Sequence, residues 1–240
     1  MRFAYLALAS ALILAAFAQP CRAVDWKKFD DPNALLLTDS FAQSIDALPA
    51  ADRKAAVERL HESLKAKEIE IRRRAALTLD KLGDKSGVPV LIEALPKATG
   101  KDRDNVVVAL RILKDERAIP ALRAALKDES PYVRTIAVAA LGELKAAKAY
   151  DDIVALTKDK GEKAAPPKAG GLNCFPMCPA DSACYALGAL GDQRAVPVLI
   201  DLVDDKDVQN AAMQALGELT KEKFGYDAEK WKAWWKERGK

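Results

Sequence analysis

Residues 131–156 read PYVRTIAVAALGELKAAKAYDDIVAL, and this stretch decides the fold. In its first half Val133, Ala137, Ala140, Leu141 and Leu144 recur at three- and four-residue spacing, the mark of an amphipathic helix. Gly142 lies near the end of that helix, and a second apolar-periodic run opens near Tyr150. A hairpin of this size has too little core to stand alone. The chain repeats it. Stepping back 31 residues from Leu144 reaches Leu113 and then Leu82; stepping forward 46 reaches Leu190, and 29 more Leu219. The same register aligns Leu79, Leu110, Leu141, Leu187 and Leu216, and it sets Ala75, Val106, Ala137, Ala183 and Ala212 where two helices approach closely. In the second helix it aligns Val88, Ile119, Tyr150 and Val196, then Leu91, Leu122, Ile153 and Leu199. Pro89, Pro120 and Pro197 share a further column, with Asp151 in the intervening unit. Proline suits the first turn of a helix, where the N–H it lacks has no partner anyway. The repeat predicts an all-α fold: an α-solenoid, a superhelix of antiparallel helix pairs, about five in number over residues 41–240.

The unit Val-Arg-x-x-Ala-x-x-Ala-Leu-Gly followed by Ala-x-Pro-x-Leu resembles the HEAT repeat, in the short variety of phycobilisome-lyase-like HEAT proteins. Residues 133–142 (VRTIAVAALG) carry the resemblance best and residues 187–199 (LGALGDQRAVPVL) next, within a span of roughly 40–240. It implies a HEAT/armadillo-like array, a scaffold that binds another protein through the concave face lined by its second helices, through the insertion at 161–178, or both; no carboxylate pair, metal cluster or phosphate loop in the sequence points to catalysis or a cofactor. The phycobilisome-lyase side of it implies an alternative, a lyase-like role on a tetrapyrrole or thiol substrate. Arg72, Arg103 and Arg134 repeat at 31 residues, as do Asp84 and Asp115, with Asp192 in the same column. The resemblance implies that these arginines form a structural ladder, bonding loop carboxylates or carbonyls between repeats; a ligand-reading basic stripe is the alternative.

The ends of the chain differ from the repeat. Residues 1–23 read as a signal peptide: Arg2 gives the positive start, Phe3 to Ala18 the apolar run, and Cys21-Arg22-Ala23 a cleavage site before Val24. The apolar run is shorter than the roughly twenty residues of a spanning helix, so no stable membrane insertion is expected after cleavage. The expected location is periplasmic or secreted. Cleavage leaves 36 basic against 35 acidic side chains, and a net charge of +1 provides no excess to neutralise phosphates, which argues against nucleic acid as a partner. Residues 24–40 form a lead-in whose Trp26 and Phe29 are available to pack on the first repeat, and residues 41–66 a degenerate opening pair. At the other end Asp227 is placed to cap a last helix, residues 227–238, that carries Trp231, Trp234 and Trp235 on one face. This ending resembles that of exported bacterial HEAT proteins with a Gly-Tyr-Asp turn and a Trp-rich helix. Terminal units of a solenoid must cover its open core, and the three indoles suit that; an aromatic binding platform is the rival reading.

The step of 46 marks fifteen inserted residues within 159–178, DKGEKAAPPKAGGLNCFPMC. Pro-Pro and Gly-Gly make this a surface loop, and loops on a rigid scaffold often carry function. Its Phe175 and Met177, with Arg123 on the second-helix face, are the candidate contacts to a partner protein. Three cysteines follow the cleavage site, and in an exported protein Cys174 and Cys178 are candidates for a disulfide. Cys184 falls in the apolar column of Ala76, Val107, Val138 and Met213 and reads as a buried thiol. A thiol-redox role for the loop is a further alternative. The spacing fits no metal motif, and the single histidine, His61, reads as a core-edge side chain.

Overall fold

The computed structural model describes residues 24–34, 38–161 and 178–238; the expected signal peptide and Cys174, Phe175 and Met177 lie outside them. Among the described residues there are thirteen α-helices and no strand. In order they are α1 (Trp26–Asp30), α2 (Thr38–Asp46), α3 (Ala50–Ser63), α4 (Ile69–Lys81), α5 (Gly87–Ala94), α6 (Gly100–Leu113) and α7 (Ile119–Ala125). There follow α8 (Pro131–Glu143), α9 (Tyr150–Leu156), α10 (Pro179–Leu190), α11 (Ala195–Ile200), α12 (Gln209–Thr220) and α13 (Ala228–Arg238). From α2 onward they alternate as first and second helices, and the fold is an α-solenoid. The chain divides into two compact units, Met1–Val90 and Leu91–Lys240, with α5 spanning the division.

In the second unit α8 packs between α6 and α10, and α10 packs on α12. The columns of the repeat are its core: Leu110, Leu141, Leu187 and Leu216 have no exposed surface, nor have Leu122, Ile153 and Leu199 of the second helices. Close approach sets what fills the inner face. A Cβ on Gly142 would lie 2.7 Å from the Ala186 backbone, so only glycine lets α8 and α10 meet at that depth. In the first unit α4 packs on α2 and α3, with Ala75, Leu79 and Leu60 fully buried.

First helices end in register. Gly83, Lys114, Lys145 and Gly191 all take the left-handed conformation, with φ of 86°, 47°, 50° and 74°. That conformation turns the chain back for the second helix and suits glycine. At α8 the start is equally defined: Ser130 accepts from the Val133 amide at 3.4 Å and Pro131 takes the first turn.

Candidate functional site

The ladder of arginines leads to the root of the insertion. Arg103 donates through Nε to the Ala98 carbonyl at 2.7 Å and through Nη1 to Asp128 at 3.1 Å. One repeat later Arg134 donates to both oxygens of Asp159, at 2.6 and 3.2 Å, and to the carbonyls of Asp128 and Glu129 at 2.8 and 3.0 Å. Asp128 and Asp159 are themselves 31 residues apart, so partner and arginine repeat together. Arg72 departs from the pattern: its Nε is buried with no hydrogen-bond partner, and the register position of the missing carboxylate holds Lys97.

Asp159 is also where the insertion leaves the repeats. Its carboxylate accepts from the Gly161 amide at 3.1 Å, and its carbonyl accepts from the Ala180 amide, in the first turn of α10, at 3.1 Å. Both feet of the loop are thus tied to one residue. Burial opposes the Asp159 charge, but the hydrogen bonds from Arg134 and Gly161 outweigh it and hold the carboxyl below its ordinary range. Lys160 turns the other way, onto Asp205 at 2.8 Å and Asp207 at 3.1 Å, and these bonds raise its pKa. The returning foot is Cys178, which caps α10: the Asp181 amide donates to its sulfur at 3.4 Å, and its own amide donates to the Asp181 carboxylate at 3.2 Å.

Cys178 is a free thiol here, 3 % exposed, and the other member of the expected pair, Cys174, lies outside the described residues. Burial pushes the Cys178 thiol up, and Cys184, fully buried, is pushed up to about 12 for the same reason. Neither holds a thiolate near neutral pH. Arg123 does not point at open solvent alone: its Nε donates to Asp152 of α9 at 2.7 Å, an ion pair between successive second helices. His61 bonds Asp84 at 2.7 Å, where Asp115 and Asp192 close instead on arginines two residues along, Arg117 and Arg194. An open groove of about 650 Å³ runs beside it along α3, lined by Leu48, Arg53, Lys54, Val57 and Glu58. Among the described residues no cluster of His, Cys, Asp or Glu could hold a metal ion, and no helix is long and apolar enough to cross a membrane.

A family model described as HEAT repeats matches residues 89–165, and one described as the PBS lyase HEAT-like repeat matches residues 71–95 and 181–205. The chain carries HEAT repeats. Residues 166–180 fall in none of the matched spans, so most of the insertion stands outside the repeat itself. The complex of CpcE and CpcF of phycocyanin lyase from Nostoc sp. PCC7120 contains a similar chain, 26% identical with a TM-score of 0.53, over 79% of this chain and 68% of that one. The Escherichia coli protein YibA is 21% identical with a TM-score of 0.52, over 77% of this chain and 61% of its own, a likeness of fold alone. No curated protein matches.

Both ends of the HEAT array carry aromatic clusters. At the C-terminal end Trp231 is fully buried, edge-on to Phe224 at 4.9 Å and to Trp234 at 5.7 Å. Its Nε1 donates to the Gly225 carbonyl at 2.9 Å, and that of Trp234 to Glu222 at 3.1 Å. Trp235 lies beside Trp234 at 6.2 Å, half-buried. At the other end Phe29 is stacked on Phe41 at 4.9 Å, with Trp26 edge-on to both.

One residue there escaped the sequence reading. Arg74, 2 % exposed, donates through Nη1 to the carbonyls of Lys28 (3.3 Å), Phe29 (3.0 Å) and Asp31 (2.6 Å). Its Nη2 donates to those of Pro32 (3.2 Å) and Ala34, and its Nε to Glu70 (2.9 Å). Its column elsewhere holds Asn105, Ile136, Ser182 and Ala211, a largely inward set; a guanidinium there was the available signal that it must find buried acceptors.

Proposed function

We propose that this chain is an exported, non-catalytic scaffold that binds another protein, with recognition at the insertion rooted between α9 and α10. The observation that carries this reading is the double tie at Asp159. Arg134 and Ala180 fix the two feet of a loop that the HEAT repeat does not require, and a loop set on a rigid base is how scaffolds present a contact. The neighbouring second helices supply the flanking surface, including Arg123 and Asp152. Phe175 and Met177 of the loop are the apolar contacts in this reading. Burial raises the Cys178 and Cys184 thiols, which supports a binding role over thiol chemistry at these two positions.

The test is affinity capture from an extract of the host with two baits: the chain from Val24 onward, and the same chain with residues 162–177 replaced by a short Gly-Ser linker. A partner retained by the first and lost by the second is expected. One retained equally by both moves recognition to the repeat surface, and none for either defeats the scaffold reading. Export has its own check, since the N-terminus of the native protein should be Val24; a mature chain beginning at Met1 rules it out.

A second reading rests on the likeness to a chain of the phycocyanin lyase complex. It makes this chain an accessory to attachment of a tetrapyrrole. Titration with a bilin discriminates: an unshifted bilin absorbance spectrum at saturating protein ends that reading.

A further inference from the structure

The contacts that hold residues 24–34 are of an unusual kind. Nearly every polar one ends on a main-chain carbonyl of the segment and begins on Arg74, a side chain of α4 that is almost fully buried. The helix inside the segment, α1, has five residues, too few for stability of its own. Its last carbonyls have no partners within so short a helix, and Arg74 supplies them. Side-chain recognition is concentrated in one place: Phe29, with no exposed surface, is stacked on Phe41, while Arg59 lies 4.2 Å over the Trp26 ring and pairs with Asp30 at 2.6 Å. This is the construction of a bound peptide, a carbonyl clamp with one aromatic slot. The segment is tethered to the rest of its unit through residues 35–37.

We propose that residues 24–34 are an exchangeable arm, and that Arg74 with the Phe29 slot is a receptor able to take the same arm from a second copy of this chain. Every contact named above lies between the arm and the first unit, so each re-forms unchanged when the arm is supplied in trans, which is what makes swapping a low-cost route to a dimer. The tether favours closure within one chain because it gives the arm a high effective concentration at its own receptor. Exchange takes over when one arm cannot seat. The arm and its receptor belong to the first unit and the insertion to the second, so arm exchange does not depend on what the insertion binds.

Two full-length variants test it. Phe29→Ala keeps the receptor and spoils the arm; Arg74→Met keeps the arm and spoils the receptor. Each alone is expected to elute at monomer mass in size-exclusion chromatography with light scattering. Mixed in equal amounts they are expected to yield a species of twice that mass, its share growing with concentration, because the Phe29→Ala receptor captures the Arg74→Met arm. A labelled synthetic peptide of residues 24–34 shows that the receptor is intact: it should bind Phe29→Ala at least tenfold more tightly than Arg74→Met. Phe29→Leu replaces the alanine variant if far-UV circular dichroism shows that the latter has lost helix. With an intact receptor, a mixture that stays monomeric overturns the proposal. So does dimerisation of Phe29→Ala alone, which would place the association on another surface.

Discussion

Replacing Arg134 by methionine keeps the stem of the side chain and removes the guanidinium that holds Asp159. The structure sets the size of the loss. Two charge-assisted bonds to a carboxylate and two bonds to carbonyls disappear, at side chains only 16% and 26% exposed. Hydrogen bonds to charged groups contribute about 1.5–3 kcal/mol, and fully exposed ion pairs about 0.2–1 kcal/mol. A pair of intermediate burial therefore belongs near 1–2 kcal/mol, and with the orphaned carbonyls Arg134→Met should cost about 2–3 kcal/mol. Urea unfolding followed by circular dichroism measures it, provided the slope is unchanged. The pair itself is isolated by a cycle with Asp159→Asn, in which the coupling should be about 1–2 kcal/mol. Its pH dependence has a definite sign. The folded carboxyl is held below its ordinary value, so the contribution is complete above the unfolded value of about 4 and drains as pH falls through the lower, folded one. The gap between wild type and Arg134→Met should narrow in that acid range and not between pH 6 and 8. A coupling below about 0.3 kcal/mol, or one independent of pH down to 3, would refute the reasoning that Asp159 is a fixed root.

Three further outcomes are expected. Lys145→Gly should stabilise the chain by about 0.5–1 kcal/mol in thermal or urea unfolding, because a left-handed φ of 50° strains a lysine and not a glycine; loss of stability would show that the lysine side chain outweighs the backbone. Trp231→Ala should cost about 3–5 kcal/mol, since the indole is fully buried and its N–H is bonded to Gly225, and a cost under 1 kcal/mol would remove it from the terminal core. Cys184 should resist iodoacetamide at pH 8 in the folded chain and react only in denaturant, given its burial and a thiol pushed up to about 12.

The solenoid was legible because its determinants are local and repeated: Leu110, Leu141 and Leu187 announce a buried column by their spacing alone, and each has no exposed surface. Arg103 and Arg134 stand out by the same 31-residue spacing, but the spacing did not show that Arg72, in the same column, leaves its buried Nε without a partner. The column's acceptors were harder, since Arg134 reaches a residue 25 positions on, across a whole second helix. Those acceptors do repeat, at Asp128 and Asp159, and a search for acids in the register would have found them. Arg74 was not legible in this way. It has no counterpart in other repeats, and its partners are carbonyls 40 to 46 residues earlier, which no side-chain pattern encodes. The capping role of Cys178 was not legible either: export suggested a disulfide to Cys174, which lies outside the described residues, and nothing in the spacing announced that its sulfur accepts from the Asp181 amide as Ser130 accepts from Val133.

The insertion and the ladder meet in a way that bears on how the loop works. The carboxylate column runs Asp128, Asp159, Asp205, with the last step lengthened by the inserted residues. The arginine column stops one step earlier: the position after Arg134 holds Ala180, in the first turn of α10. Asp205 is not left alone, because Lys160 bonds it from the outgoing foot of the insertion, and that bond lowers the Asp205 pKa as it raises that of Lys160. The inserted segment has thus replaced a rung of the ladder with a cation of its own. Its feet, Asp159, Lys160 and Cys178, belong to the packing of the repeats. A deletion that removes Lys160 also breaks its ion pairs to Asp205 and Asp207, in the turn before α12, and so changes more than the loop. One confined to residues 162–177 leaves Asp159, Lys160 and Cys178 in place, so any binding it abolishes is attributable to the loop.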